Sequence, residues 1–96
     1  MTLDEFISSV HSSPEAPGGG PLLEALWSDA RGDWEKAHAI VQDIDHPDGA
    51  WIHAYLHRKE GDDMNAKFWY NMAGKNFPKV SLDEEWREIA AYFLSR

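Results

Sequence analysis

The sequence predicts an all-α protein of about six helices, stacked as helical hairpins into one domain spanning residues 1–96. Three observations carry this. No segment alternates apolar and polar residues with period two. Apolar residues recur at helical spacing between Gly and Pro stops. The chain also resembles itself when shifted by 29 residues.

The first helix opens on Thr2-Leu3-Asp4-Glu5, the spacing of a capping box. Leu3, Phe6, Ile7 and Val10 form its apolar stripe, which ends by His11. Residues 12–20 are rich in Pro and hold Gly18, Gly19 and Gly20, so they read as a flexible linker. That linker has no phosphate-loop Lys-Ser/Thr and follows no strand, which argues against phosphate binding. The second helix starts at Pro21, a favoured first-turn residue, and stops at Gly32. Asp33 caps the third, which carries Trp34, Ala37, Ile40, Val41 and Ile44. The fourth runs from near Pro47 to Glu60, with Gly61 as its stop. Asp62 or Asp63 caps the fifth, which ends at Gly74. The fifth is apolar almost all round, so it is expected between other helices, with the sixth covering one side. Ser81-Leu82-Asp83-Glu84 is a second capping box that opens the sixth, whose stripe is Leu82, Trp86, Ile89 and Phe93. Trp27, Trp34, Trp86, Phe68 and Phe93 are expected in the core.

Composition narrows the function classes. Seventeen acidic against nine basic residues leave a formal charge of −8, which disfavours nucleic acid and anionic membranes as partners. The chain has no Cys, hence no disulfide and no thiolate metal site. No apolar run approaches the roughly 20 residues of a membrane span. The first ten residues lack a signal peptide's basic start and long apolar stretch. The expected location is cytoplasmic.

On the 29-residue shift, Leu22–Ile44 overlies Trp51–Ala73 without a gap. Ala25 meets Ala54, Gly32-Asp33 meets Gly61-Asp62, Ala37 meets Ala66 and Val41 meets Tyr70. Gly61-Asp62 followed by Ala66, Tyr70 and Ala73 resembles the turn and second helix of a tetratricopeptide (TPR) repeat, with Trp51 near that repeat's Trp. The resemblance covers residues 21–74 with a shorter period than the family's roughly 34. It implies a TPR-like α–α superhelix with a concave surface that holds peptides. The string His53-Ala54-Tyr55-Leu56-His57-Arg58-Lys59-Glu60-Gly61-Asp62, with Asn65-Ala66 and Trp69-Tyr70, also resembles a signature of an uncharacterised family of small bacterial and fungal proteins. That implies that the stretch matters and assigns it no chemistry.

The second unit carries polar groups that the first lacks: His53 overlies Glu24, His57 overlies Ser28 and Arg58 overlies Asp29. On a helical wheel His53, His57 and Glu60 line one file, opposite the apolar arc of the fourth helix. The bland reading of that file is a solvated face. Two His four apart can also share a metal, with Glu60 as a third ligand; His38, His46 and Asp45 are further donors at distances that sequence cannot judge. Arg58 and Asn65 fall inside the apolar arcs of helices four and five, where a polar group must find partners. Counted from the Gly61-Asp62 turn they lie level with each other, and His53 lies level with Tyr70. His53, His57, Arg58, Asn65 and Tyr70 are therefore the candidate ligand-binding residues, with Arg58 suited to a carboxylate or phosphate. The alternative for Arg58 and Asn65 is a purely structural tie across the hairpin.

The function expected from sequence is a small binding module with a polar groove on helices four and five. Its partner would be a protein, a peptide or a small anionic ligand. No cofactor, no catalytic residue and no metal is assigned. The alternative is a metal- or small-molecule-dependent enzyme using His53 and His57. Surplus aromatic surface could also serve a homodimer.

Overall fold

The computed structural model describes residues 1–96 and contains six α-helices and no strand. They are α1 (Leu3–Ser12), α2 (Pro21–Ala30), α3 (Trp34–Gln42), α4 (Pro47–Lys59), α5 (Asp63–Ala73) and α6 (Leu82–Leu94). None is long and apolar enough to cross a membrane.

Local chemistry sets the helix ends. The Thr2 hydroxyl accepts from the Glu5 amide while Glu5 accepts from the Thr2 amide, closing both halves of the capping box. The second expected capping box forms by half: Ser81 caps α6 by accepting from the Glu84 amide at 3.1 Å, while the Glu84 side chain does not return to the Ser81 amide. His46 caps α4 with its ring, Nδ1 accepting from the Asp48 amide at 3.0 Å.

The two units seen at a 29-residue shift turn alike. Gly32 and Gly61 take φ of 89° and 88°. The Asp33 amide donates to the Ser28 carbonyl and the Asp62 amide to the His57 carbonyl, each at 2.9 Å. This six-to-one bond closes a helix C-terminus around a left-handed residue that glycine adopts without penalty. Asp33 and Asp62 then each cap the next helix through a side-chain oxygen. A helix stop and a helix start are thus compressed into three residues, which folds α2 onto α3 and α4 onto α5.

The two hairpins stack through α3 against α4, and α6 crosses α2 and α4 with α1 closing over it. One core forms from Phe6, Leu26, Val41, Ile52, Leu56, Trp86 and Ile89 among others. Three indoles bridge the elements that they pack between. Trp86 donates to the Leu26 carbonyl at 3.0 Å, Trp34 to the Leu56 carbonyl at 2.9 Å and Trp27 to the Ser9 hydroxyl at 3.1 Å. Each buries a large apolar body while its N–H stays satisfied.

Helix α5 departs from expectation. It is not sandwiched: α4 is the one helix whose backbone runs close against it, and α6 reaches it through the hydrogen bonds of Tyr70 to Glu85. Ala66 and Tyr70 face inward, joined by Phe77 from the α5–α6 connection. Met64, Phe68 and Met72 face outward, at 85%, 56% and 55% exposure. Phe68 is therefore not a core residue. A wheel that is apolar on every side cannot say which side has a neighbour.

Candidate functional site: three histidines between α3, α4 and α5

The two histidines of α4 do not line a solvated face. His53 and His57 are 5% and 6% exposed, because α3 and α5 flank α4 on that side. From α3 comes His38, whose Nε2 stands 3.1 Å from His53 Nε2. The rings of His53 and His57 stack with centroids 4.8 Å apart, and His38 meets both edge-on. One ring nitrogen from each of the three lies within 4.8 Å of the others.

Aromatic walls hold the cluster. Trp34, one turn before His38 on α3, stacks on it at 4.9 Å between centroids. Trp69 of α5 stacks on His53 at 4.0 Å, nearly parallel. On the far side Glu60 lies 2.7 Å from His57 Nδ1. That contact sets the tautomer: Nδ1–H donates to the carboxylate, and Nε2 keeps its lone pair.

Burial favours the neutral imidazole at His53 and His38. Burial pushes His53 down to about 4, helped by positive charge on His57 and His38. His38 is lowered as well, by burial first and then by His57, with Glu60 opposing. Neutral imidazole is the form that donates a lone pair to a metal.

Arg58 and Tyr70 belong to a second cluster, on the α6 side. Arg58 Nη1 donates to Glu85 Oε1 at 2.8 Å, and its Nη2 donates to the Val80 carbonyl. The Tyr70 hydroxyl donates to the same carboxylate, at 2.6 Å to Oε2. Glu85 is 1% exposed. Its buried charge is matched by a guanidinium and a phenol, and Arg58 already holds a carboxylate partner inside the fold. The repeat-equivalent residue, Asp29, is likewise buried and accepts from Lys59 Nζ through both oxygens, at 3.0 and 3.2 Å. At matched positions, then, the two hairpins use charges of opposite sign to tie themselves to the next element.

The five sequence-derived residues therefore do not share one neighbourhood. His53 and His57 join His38; Arg58 and Tyr70 join Glu85. Asn65 enters neither cluster: it is half-buried on α5, and its amide N–H donates to Asp62. Level positions across a hairpin share a height, but their side chains can leave by opposite sides, and here they do.

Of two further residues central to these clusters, the sequence names His38 only as a donor at unknown distance and does not single out Glu85. His38 had a signal, since Trp34 and His38 stand four apart on one face of α3. Glu85 had a clearer one, an acid inside the apolar stripe of α6 between Leu82 and Ile89. Comparison with known proteins finds no family model, no curated protein and no solved structure that matches this chain.

Proposed function

We propose that this chain is a small metal-binding protein whose ion sits on His38, His53 and His57. One observation carries the reading: three imidazole nitrogens from two helices converge within 4.8 Å in a cluster flanked by the stacked rings of Trp34 and Trp69. Two nitrogens on one tetrahedral zinc stand about 3.3 Å apart, given Zn–N distances of about 2.0–2.1 Å. His38 Nε2 and His53 Nε2 already stand 3.1 Å apart, and His57, within 4.8 Å of both, would close in to complete the set. An all-imidazole set suits zinc, copper or nickel and suits magnesium or calcium poorly. Glu60 fills the outer role of such sites, a carboxylate that orients a ligating imidazole through its other nitrogen. Three protein ligands leave a fourth position to water or an incoming group.

The groove expected on helices four and five narrows in this reading to an ion site that α3 completes. An anion at Arg58 loses support because Glu85 occupies it. The equal Gly-Asp turns support a TPR-like reading of the hairpins, and the cysteine-free chain suits a reducing, intracellular setting.

The test is titration of metal-stripped protein with Zn²⁺, Ni²⁺ and Cu²⁺ by calorimetry at neutral pH. Elemental analysis of protein purified without chelator accompanies it. One ion per chain is expected, lost in His38→Ala and in His53→Ala. Absence of stoichiometric binding, or binding untouched by His38→Ala, overturns the proposal.

A further inference from the structure

The outward stripe of α5 reads almost the same in both directions. Taking Phe68 as centre, Met64 and Met72 lie four positions to either side, and Asn65 and Asn71 lie three to either side. On a helix, Met64, Phe68 and Met72 form one line, flanked by Asn65 on one side and Asn71 on the other at equal angles. All three apolar members of that line are exposed. Across a two-fold axis at Phe68 this pattern sets apolar residues against apolar ones along the whole line.

We propose that α5 is the contact face of a homodimer, with two copies crossing antiparallel about an axis through Phe68. A two-fold contact pairs residue i with j and j with i. Here it places Phe68 on its own copy and Met64 on Met72 of the second copy, while on the two flanks Asn65 comes beside the second copy's Asn65 and Asn71 beside its Asn71. Each of these pairings is chemically apt. Methionine adapts to an aromatic face and packs favourably at its edge. Two amides can each donate and accept once. Asn65, left out of both internal clusters, gains a partner.

Charge selects the antiparallel sense. The N-terminal end of α5 carries Asp62 and Asp63, and Lys75 follows its C-terminus. Antiparallel copies set unlike ends side by side, whereas parallel copies would align Asp62 and Asp63 with themselves. The helix dipoles favour the same sense. The position of α5 leaves the approach open, since its contacts with α4 and with Glu85 of α6 lie on the inward side and the Met64–Phe68–Met72 line is exposed. A single helix pair falls at the small end of specific interfaces, below about 1,200 Å² in total, which marks a dimer that forms and dissociates readily.

The absence of native cysteine makes the geometry directly readable. Three variants of the full chain, Phe68→Cys, Met64→Cys and Met72→Cys, are oxidised mildly at equal concentration, with Lys67→Cys as an off-stripe control. Phe68→Cys is expected to cross-link with itself rapidly. Tagged Met64→Cys is expected to cross-link with untagged Met72→Cys and poorly with itself. All four positions are at the surface, so folding is checked simply by helical circular dichroism. Sedimentation equilibrium of the unmodified chain is expected to show a mass rising from 10.9 kDa toward twice that value with concentration, and Phe68→Asp to abolish the rise. Preferential self-cross-linking of Met64→Cys means a parallel pair and overturns the proposal. So does a chain that stays monomeric, or Lys67→Cys linking as fast as Phe68→Cys. A monomer that still binds metal would leave the three-histidine reading standing.

Discussion

The Arg58 guanidinium and the Tyr70 hydroxyl donate to the same carboxylate, that of Glu85: Arg58 to Oε1 at 2.8 Å, and Tyr70 between the two oxygens at 2.6 Å from Oε2 and 2.8 Å from Oε1. Arg58 leaves α4, Tyr70 leaves α5 and Glu85 leaves α6, so one buried charge locks three helices together. Such an arrangement contributes little when compared with a well-packed apolar replacement, but breaking it is costly because the surviving charge has nowhere to go.

Arg58→Ala is accordingly expected to lower unfolding free energy by about 3–5 kcal/mol, because Glu85 is left buried without its cation. Tyr70→Phe removes one donor from a carboxylate that keeps the guanidinium, and about 1–3 kcal/mol is expected. The two losses should not add, because both act through Glu85. Urea unfolding of the two single variants and the double variant checks this, and additive losses would contradict a shared anchor. Metal binding should survive Tyr70→Phe, whose hydroxyl points to α6 and not to the histidines.

At the histidines the expectation is graded. Replacing His38, His53 or His57 removes a ligand, whereas Glu60→Gln keeps the ligands and weakens the hold on His57. A loss of about 10–100-fold in affinity is expected for Glu60→Gln. Trp34 and Trp69 stack on His38 and His53, so Cu²⁺ or Ni²⁺ bound there should quench indole fluorescence. The titration curve then reads affinity directly. Equal affinity for Glu60→Gln and the unaltered chain would show that the carboxylate plays no part.

Much of this fold is legible residue by residue, because its signals are local. The capping box at Thr2–Glu5, the cap at Ser81 and the paired Gly-Asp turns each depend on groups within six residues, and all form as the sequence implies. The clusters were less legible, for one geometric reason. A helical wheel shows which residues share a face and is silent on what covers it. His53 and His57 looked solvated because α3 and α5 cannot be placed on a wheel. Phe68 looked buried for the converse reason, its face having no helix against it. Glu85 could be suspected from its place in an apolar stripe, but its partners 27 and 15 residues upstream could not.

The turns give a prediction free of packing effects. A Cβ added at Gly32 or Gly61 meets nothing within 4 Å. The whole cost of alanine there is the positive φ, about 1–2 kcal/mol. Because the two turns match in φ and in hydrogen bonding, Gly32→Ala and Gly61→Ala should destabilise equally. Gly49 behaves differently: its φ is ordinary, but an added Cβ would stand 2.8 Å from Ile44 Cγ2. Gly49→Ala acts by collision, so Ile44→Ala should relieve the part due to Cγ2, the Cβ and carbonyl oxygen of residue 44 staying at 3.0 Å, whereas no second substitution in contact should relieve Gly61→Ala. Thermal unfolding of the single and double variants separates the two mechanisms.

Two of the chain's three tyrosines give the expected response to alkali. Tyr55 and Tyr70 are both held above the ordinary phenol value of 10.0, chiefly by burial. The next contribution is the negative charge of Asp29 for Tyr55, and the hydrogen bond to Glu85 for Tyr70. A raised pKa means that the folded chain keeps a proton which the unfolded chain releases near pH 10. The stabilising contribution is therefore complete below about pH 10 and declines as pH climbs toward the folded-state values. Both phenols should stay protonated until the fold opens. In a pH jump above 10, two equivalents of tyrosinate absorbance should appear at the same rate as the loss of helical circular dichroism. Tyr70→Phe should reduce that amplitude to one equivalent. Two fast equivalents in a chain that is still helical would mean that water reaches Tyr70, and the Glu85 anchor would then be an open site instead of a closed one.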